Sequence, residues 1–188
     1  STADYVAGLH AASLIRDGGT LQIGIGSLGD AVTYALILRH RHNALFRELL
    51  ARITDEQRET APFEEGLYAS SEMFVDGFLD LYDAGILKRR SASGPVLHSA
   101  FFAGSRDFLN RLKAMPEERR RDFDMTAVSF TNALYGGEEE KRRDRVHARF
   151  LNNAMKVDVL GAAQSDTLGD GRVVSGVGGQ HDFVEQAL

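Results

Sequence analysis

The sequence predicts an α/β fold, a mixed or mostly parallel sheet flanked by helices. Stretches with apolar residues at helical spacing alternate with short apolar runs that read as buried strands. Glycines gather directly after two of those runs, at Gly24, Gly26 and Gly29 and at Gly176, Gly178 and Gly179, where a chain leaving a strand must turn or approach a ligand closely. With 188 residues, 43% hydrophobic and 26% charged, the composition is globular and fits a single domain over 1–188.

The elements follow in order. Ala3 to Ile15 has helical spacing through Val6, Leu9 and Leu14, and Asp17, Gly18 and Gly19 close it. Thr20 to Ile25 reads as a short buried strand, Gly26 to Asp30 as a turn, and Ala31 to Leu38 as a second helix. Residues 39–64 form a charged helical insertion on a solvated face, with a fresh helix from Asp55 behind a Thr54/Gln57 capping box. Leu67 to Ser70 reads as a strand and Glu72 to Ala84 as a helix closed by Gly85. Val96 to Ala103 is a strand, Ser105 to Lys113 a helix, and Pro116 with Glu117 and Glu118 a helix start. Met125 to Phe130 is a strand and Gly136 to Arg145 a charged loop. Arg149 to Leu151, Val157 to Leu160 and Val173 to Ser175 are strand candidates, and Asp182 to Ala187 starts a last helix. The chain opens on Ser1 and stops at Leu188 within that helical pattern, so a fragment of a longer protein is expected.

Charge and composition exclude several classes. A net charge of -5 offers no basic field to a nucleic-acid backbone. No apolar run reaches the roughly 18 residues of a membrane span, and no signal peptide is visible. Without cysteine there is no disulfide framework, thiolate metal site or cysteine nucleophile, and a reducing, cytoplasmic location fits.

Three motifs carry chemistry. Gly24-Ile25-Gly26-Ser27-Leu28-Gly29 is a literal G-x-G-x-x-G between strand and helix. A dinucleotide site would also want an acid ending the next strand about 20 residues on, where Arg41 to Leu50 instead looks helical. The loop either borders some other anionic ligand or merely turns the chain. Ser71 is placed to cap a helix with Glu72 in its first turn, as a dipole-complementing acid or as a catalytic carboxylate. Ser175-Gly176-Val177-Gly178-Gly179-Gln180 is a loop whose N–H groups can form an anion nest or oxyanion hole, or simply join two core elements. Asn152 and Asn153 are turn or site residues. His40 and His42 point apart on a helix, and His98, His147 and His181 show no ligand spacing, so no metal site is read.

In this order the motifs resemble the acetyl-CoA hydrolase/transferase family, class I CoA transferases whose members include 4-hydroxybutyrate CoA-transferases. Leu21 to Gly26 resembles the strand and loop that open the family's C-terminal domain. Ser71-Glu72-Met73-Phe74-Val75-Asp76-Gly77 resembles the segment around its nucleophilic glutamate. Asn152 to Asp158 and Ser175 to Gln180 with Asp182-Phe183 resemble its Asn-bearing strand and its Gly-rich loop. The resemblance runs from about Thr20 to the end. It departs at Ser70-Ser71, where His-Thr is usual, at Lys156, where an acid is common, and at the charged insertion.

The resemblance implies a C-terminal catalytic domain that moves CoA between an acyl-CoA and a small carboxylic acid through a glutamyl-CoA thioester on Glu72. Gly178 and Gly179 would stabilise the oxyanion, and Asn152 would hydrogen-bond the glutamyl or thioester group. Gly24, Gly26, Gly176 and Gln180 would border the CoA chain. It further implies coenzyme A as substrate with no permanently bound cofactor, a missing N-terminal domain, a homo-oligomer, and a separate fragment without turnover. The alternatives are an acyl-CoA (acetyl-CoA) hydrolase on the same fold and a non-catalytic CoA- or nucleotide-binding module.

Overall fold

Strands β1 (Thr20–Ile23), β2 (Tyr68–Phe74), β3 (Leu97–Phe102), β4 (Phe123–Met125) and β5 (Arg149–Leu151) form one parallel sheet in the order β4-β3-β2-β1-β5. The computed structural model describes residues 1–186. Helix α1 (Thr2–Ala12) precedes the sheet, and α2 (Ser27–Arg41) and α3 (Asn43–Ala51) link β1 to β2. Next, α4 (Asp76–Asp83) links β2 to β3, and α5 (Arg106–Ala114) and α6 (Glu117–Arg120) link β3 to β4. The link from β4 to β5 runs through α7 (Val128–Asn132) and α8 (Glu138–Asp144). A small antiparallel hairpin, β6 (Lys156–Val157) with β7 (Ala163–Gln164), and helix α9 (Gln180–Glu185) follow.

Parallel strands joined by helical crossovers are covered on both faces, and β1 is accordingly buried throughout although its residues, Thr20-Leu21-Gln22-Ile23, alternate polar and apolar. Ile23 lies against α2 and α4, where a Cβ on Gly77 would meet Thr33 and Ile23. On the other face the Thr20 hydroxyl donates to the Asp144 carbonyl at the end of α8 (2.8 Å), and α7 packs on β2 and β3. Leu21, Ala69, Leu97, Leu36, Phe78 and Leu79 are among the buried residues of one hydrophobic cluster. Among the described residues no helix is long and apolar enough to cross a membrane.

β1, β2, β3 and β5 and the helical crossovers from β2 to β3 and from β3 to β4 agree in outline with the sequence reading, and the other elements differ for local reasons. α1 stops at Ala12, where the Ser13 hydroxyl bonds back to the His10 carbonyl. β2 runs on through Glu72 to Phe74 and the helix begins at Asp76, because the Ser71 hydroxyl donates across the sheet to the Ile23 carbonyl (3.2 Å) instead of capping a helix. No helix starts at Asp55; the Thr54 hydroxyl accepts from Glu56 N two residues on (3.2 Å), a turn. The stretch 39–64 is helical only as far as Ala51, and its solvated face is broken by Arg39, Phe46, Leu50 and Phe63, which are buried. β4 ends at Met125 and 128–132 turn helical. The charged loop is α8, acids in its first turn and bases in its last. Its inward residues, Lys141 and Asp144, are polar and leave no apolar period to read. Val157 to Leu160 pairs only at Val157, and Val173 forms a single bridge with Thr167. The expected helix beyond Gln186, with the chain's end inside it, lies outside the described residues.

Candidate active site

Strand order reverses at β1: the chain leaves it towards β2 and returns last as β5 on its other side. Loops leaving such a pair diverge, and ligands of open parallel sheets bind in the crevice outside the carboxyl ends of the strands there. A cleft of about 370 Å³ occupies that position. The ends of β1 (Gln22 to Ile25) and β2 (Ser71 to Met73), the segment after β5 (Asn152 to Met155) and the loop Ser175 to Gln180 line it.

Glu72 stands half-buried in that wall, two residues before the end of β2, with its side chain on the α7 side of the sheet. Its Oε2 accepts a hydrogen bond from Asn132 Nδ2 (2.7 Å). Asn132 is itself buried, with its Oδ1 2.9 Å from the Thr131 hydroxyl; the carboxylate, which can only accept, turns the Nδ2 end of the amide towards Glu72. From below, the Ser99 hydroxyl donates to the Glu72 backbone carbonyl (3.2 Å).

The glycine loop closes over this carboxylate. A Cβ on Gly179 would run into Glu72 Oε2 and Asn132 Nδ2, so only a glycine lets the loop lie this close. Gly178 adopts φ +58°, with open space where its Cβ would be. Among the described residues the backbone N–H groups of Gly176, Val177, Gly178 and Gly179 find no acceptor. The cleft is therefore edged by one anchored carboxylate and a row of unused donors, a pairing suited to chemistry that attacks a carbonyl and must hold the oxyanion that forms.

Seven of the eight residues singled out in the sequence line this one cleft: Glu72, Gly178, Gly179, Asn152, Gly24, Gly176 and Gln180. Gly26 does not. It opens α2 at φ +121° and lines a smaller hollow of about 100 Å³ next door, with Leu28, Gly29 and Val32. A dinucleotide reading of that loop lacks its acid, since the stretch about 20 residues on is the end of α2 and α3. His181, Asp182 and Glu185, on one turn of α9, bring side-chain ligand atoms within 4.8 Å of one another, a spacing not read from the sequence; His181 and Glu185 are exposed.

Residues 104–188 match the family model of the acetyl-CoA hydrolase/transferase C-terminal domain. Over 185 residues the chain is 30% identical to 4-hydroxybutyrate coenzyme A transferase of Clostridium kluyveri, covering 96% of this chain and 34% of that protein. The chain belongs to the acetyl-CoA hydrolase/transferase family. A second family relative, the succinyl-CoA:acetate/propanoyl-CoA:succinate CoA transferase of Fasciola hepatica, is 27% identical over 187 residues, covering 98% of this chain and 31% of its own length. The chain thus spans about a third of these relatives. In fold, it matches RipA from Yersinia pestis with a TM-score of 0.61 at 20% identity, over 96% of this chain and 32% of that one. A point mutant of RipA matches with a TM-score of 0.69 at 22% identity, over 98% and 34%.

The sequence reading missed Asn132, Thr131 and Gln22. Asn132 lies 60 residues from Glu72, too far for any spacing rule. The usable signal was two adjacent polar residues, Thr131-Asn132, between the apolar Phe130 and Ala133-Leu134. Gln22 is a polar residue mid-strand in the cleft wall, buried, with its Oε1 unpaired.

Proposed function

We propose that this chain is the C-terminal catalytic domain of a CoA transferase and that Glu72 is its nucleophile. One observation carries the reading: a carboxylate held by Asn132 lies directly beneath a glycine loop with unused N–H donors, inside a cleft at the switch point of the sheet.

The Glu72 carboxylate attacks the thioester carbonyl of an acyl-CoA, and the C–S bond breaks. CoA leaves as the thiolate and an acyl-glutamyl anhydride remains. The thiolate then attacks the glutamyl carbonyl, releasing the first acid as its carboxylate and leaving a glutamyl-CoA thioester. A second carboxylate reverses both steps and departs as the new acyl-CoA. A carboxylate is ionised at neutral pH, so no general base is needed, and dividing the transfer into covalent steps lowers each barrier. Gly178 and Gly179 N–H groups serve the oxyanion of each tetrahedral step, where loss of one donor typically costs about 100- to 1000-fold in rate. Asn132 keeps the carboxylate pointed at the cleft. Asn152, Gly24, Gly176 and Gln180 border the thioester and the CoA chain, with Gly26 in the adjoining hollow.

The rest of the substrate-binding surface belongs, in this reading, to an N-terminal domain of the same protein. Residues 1–188 alone then have no turnover. The test is mass spectrometry of the full-length protein incubated with acyl-CoA and trapped. We expect a covalent adduct on Glu72, acyl transfer to added acetate, and loss of both in Glu72→Ala with its melting temperature retained. Near-parental turnover in Glu72→Ala overturns the assignment; an adduct with release of free acid and no transfer to acetate makes the protein a hydrolase.

A further inference from the structure

α7 is five residues long, too short to hold a helical shape by its own hydrogen bonds, yet it carries the amide that fixes Glu72. Two cations hold it. Lys141, buried on α8, donates to the carbonyls of Ser129 (3.3 Å), Ala133 (2.9 Å) and Tyr135 (3.0 Å). That uses all three ammonium protons on the helix and the turn after it. The Nη2 group of Arg145 reaches the carbonyls of Phe130 (2.8 Å) and Thr131 (3.0 Å), with Ala133 at 3.4 Å. Among the described residues neither cation forms an ion pair with a carboxylate. Burial lowers the pKa of both, so each is held at some cost in solvation. The positive charge is directed at the backbone of one short helix and the turn after it.

From that element the contacts run to the carboxylate without a gap. The carbonyls of Phe130 and Thr131 are fixed by Arg145. The Thr131 hydroxyl lies 2.9 Å from Asn132 Oδ1 and 3.1 Å from the Val128 carbonyl, and Asn132 Nδ2 lies 2.7 Å from Glu72 Oε2. We propose that Lys141 and Arg145 are positioning residues for CoA transfer: by clamping the carbonyls of α7 they aim Asn132, and through it the Glu72 carboxylate, at the thioester. This rests on Glu72 being the nucleophile. Neither cation lines the cleft. Their removal therefore acts on the geometry of the reacting carboxylate and not on substrate binding.

The test is a kinetic split in the full-length protein. A misplacement of about 1 Å can cost about 100-fold in rate. Lys141→Met is therefore expected to lower kcat by about 100-fold with KM for acyl-CoA unchanged, and Lys141→Arg, whose cation reaches the same carbonyls, to recover part of it. Thr131→Val, a near-isosteric change that deletes only the hydroxyl, should show the same split, and Thr131→Ser should restore kcat. Should Lys141→Met fail to fold, Arg145→Lys decides, because it keeps the buried charge on a shorter side chain that stops short of the Nη2 position. Parental kcat in the folded Lys141 or Arg145 variants, or a rise in KM with kcat intact, overturns the proposal. Glu72→Ala is assayed alongside. If it is inactive while the clamp variants turn over normally, the positioning role alone falls; if it turns over, the nucleophile assignment falls.

Discussion

Gly178 and Gly179 are neighbours with different reasons to be glycine, and substitution separates them. At Gly179 the constraint is the close approach of Glu72 and Asn132, while its backbone lies at an ordinary φ of -80°. At Gly178 the constraint is a left-handed φ of +58° with empty space around the missing Cβ. Gly179→Ala is therefore expected to push the loop off the carboxylate, lowering turnover by at least about 100-fold, the scale set by a misplacement of about 1 Å. Gly178→Ala is expected to cost about 1 kcal/mol of stability from its backbone conformation and to be the milder change in rate. Paired melting curves and initial rates check this. Equal loss of activity and stability at both positions means that the loop is only a turn. The roll of cleft residues was drawn from the family resemblance; glycines after strands and an Asn pair are local signals that by themselves fit a turn as well as a site. Asn132 was not legible in sequence, since its meaning exists only once α7 is folded against β2.

At the scale of elements, Arg39 shows how charge conceals structure. In sequence it opens a run of charged residues and reads as solvated. In the fold it is fully buried, donating to the carbonyls of Ala12 (2.9 Å), Ile15 and Ala61 (2.7 Å), with its guanidinium 4.4 Å from the Phe63 ring centroid. It joins the end of α1 and the segment before β2 to α2, and burial lowers its pKa to about 10. Arg39→Met keeps much of the volume but takes the donor from the buried Ile15 carbonyl and leaves that of Ala12 only the Ile15 N–H at 3.4 Å. We expect a loss of about 1–3 kcal/mol in urea denaturation, the cost of an orphaned buried polar group. A loss below about 0.5 kcal/mol, the range of surface substitutions, would return the residue to the solvated face. β2 teaches the same lesson from the other side. Ser71-Glu72 satisfies a rule for a helix start, and only the partner strand, through the Ile23 carbonyl, decides that the chain stays extended. β3 and the helix after β2 were readable because an apolar stretch and the Gly85 helix stop at φ +76° are properties of single segments. α8 was not, because its inward residues are a lysine and an aspartate.

For the whole molecule, the groups that join separate parts of the chain also set how it responds to acid. His98 is buried on β3, its Nδ1 2.7 Å from the Tyr68 hydroxyl, with Asp124 Oδ2 3.5 Å and Ser93 Oγ 3.4 Å from Nε2. Burial pushes the Tyr68 hydroxyl up, so it stays protonated and shares a hydrogen bond with the neutral imidazole at Nδ1. Burial pushes His98 itself down, and Asp124, Asp144 and Glu140 only partly oppose it. The unfolded chain takes up this proton near pH 6.5. The folded chain takes it up only at lower pH, so the contribution of His98 is present above about 6.5 and is lost as pH falls through its folded value. Asp17 acts in the same direction at more acidic pH. Partial burial opposes its ionisation, but the N–H groups of Glu65 (3.0 Å), Glu64 (2.9 Å) and Gly66 (2.8 Å) outweigh that and hold it below the usual carboxylate range. Its contribution is lost as pH falls below about 4. Urea midpoints measured from pH 8 down to pH 3 should therefore decline in two stages. His98→Gln should shrink the first, to which the half-buried His40 also contributes, while lowering stability at pH 8, and Asp17→Asn should shrink the second, to which Asp83 also contributes. A midpoint that holds steady from pH 7 to pH 5 in the parent, or a decline there that His98→Gln leaves unchanged, would mean that the Tyr68–His98 pair takes up its proton without cost to the fold.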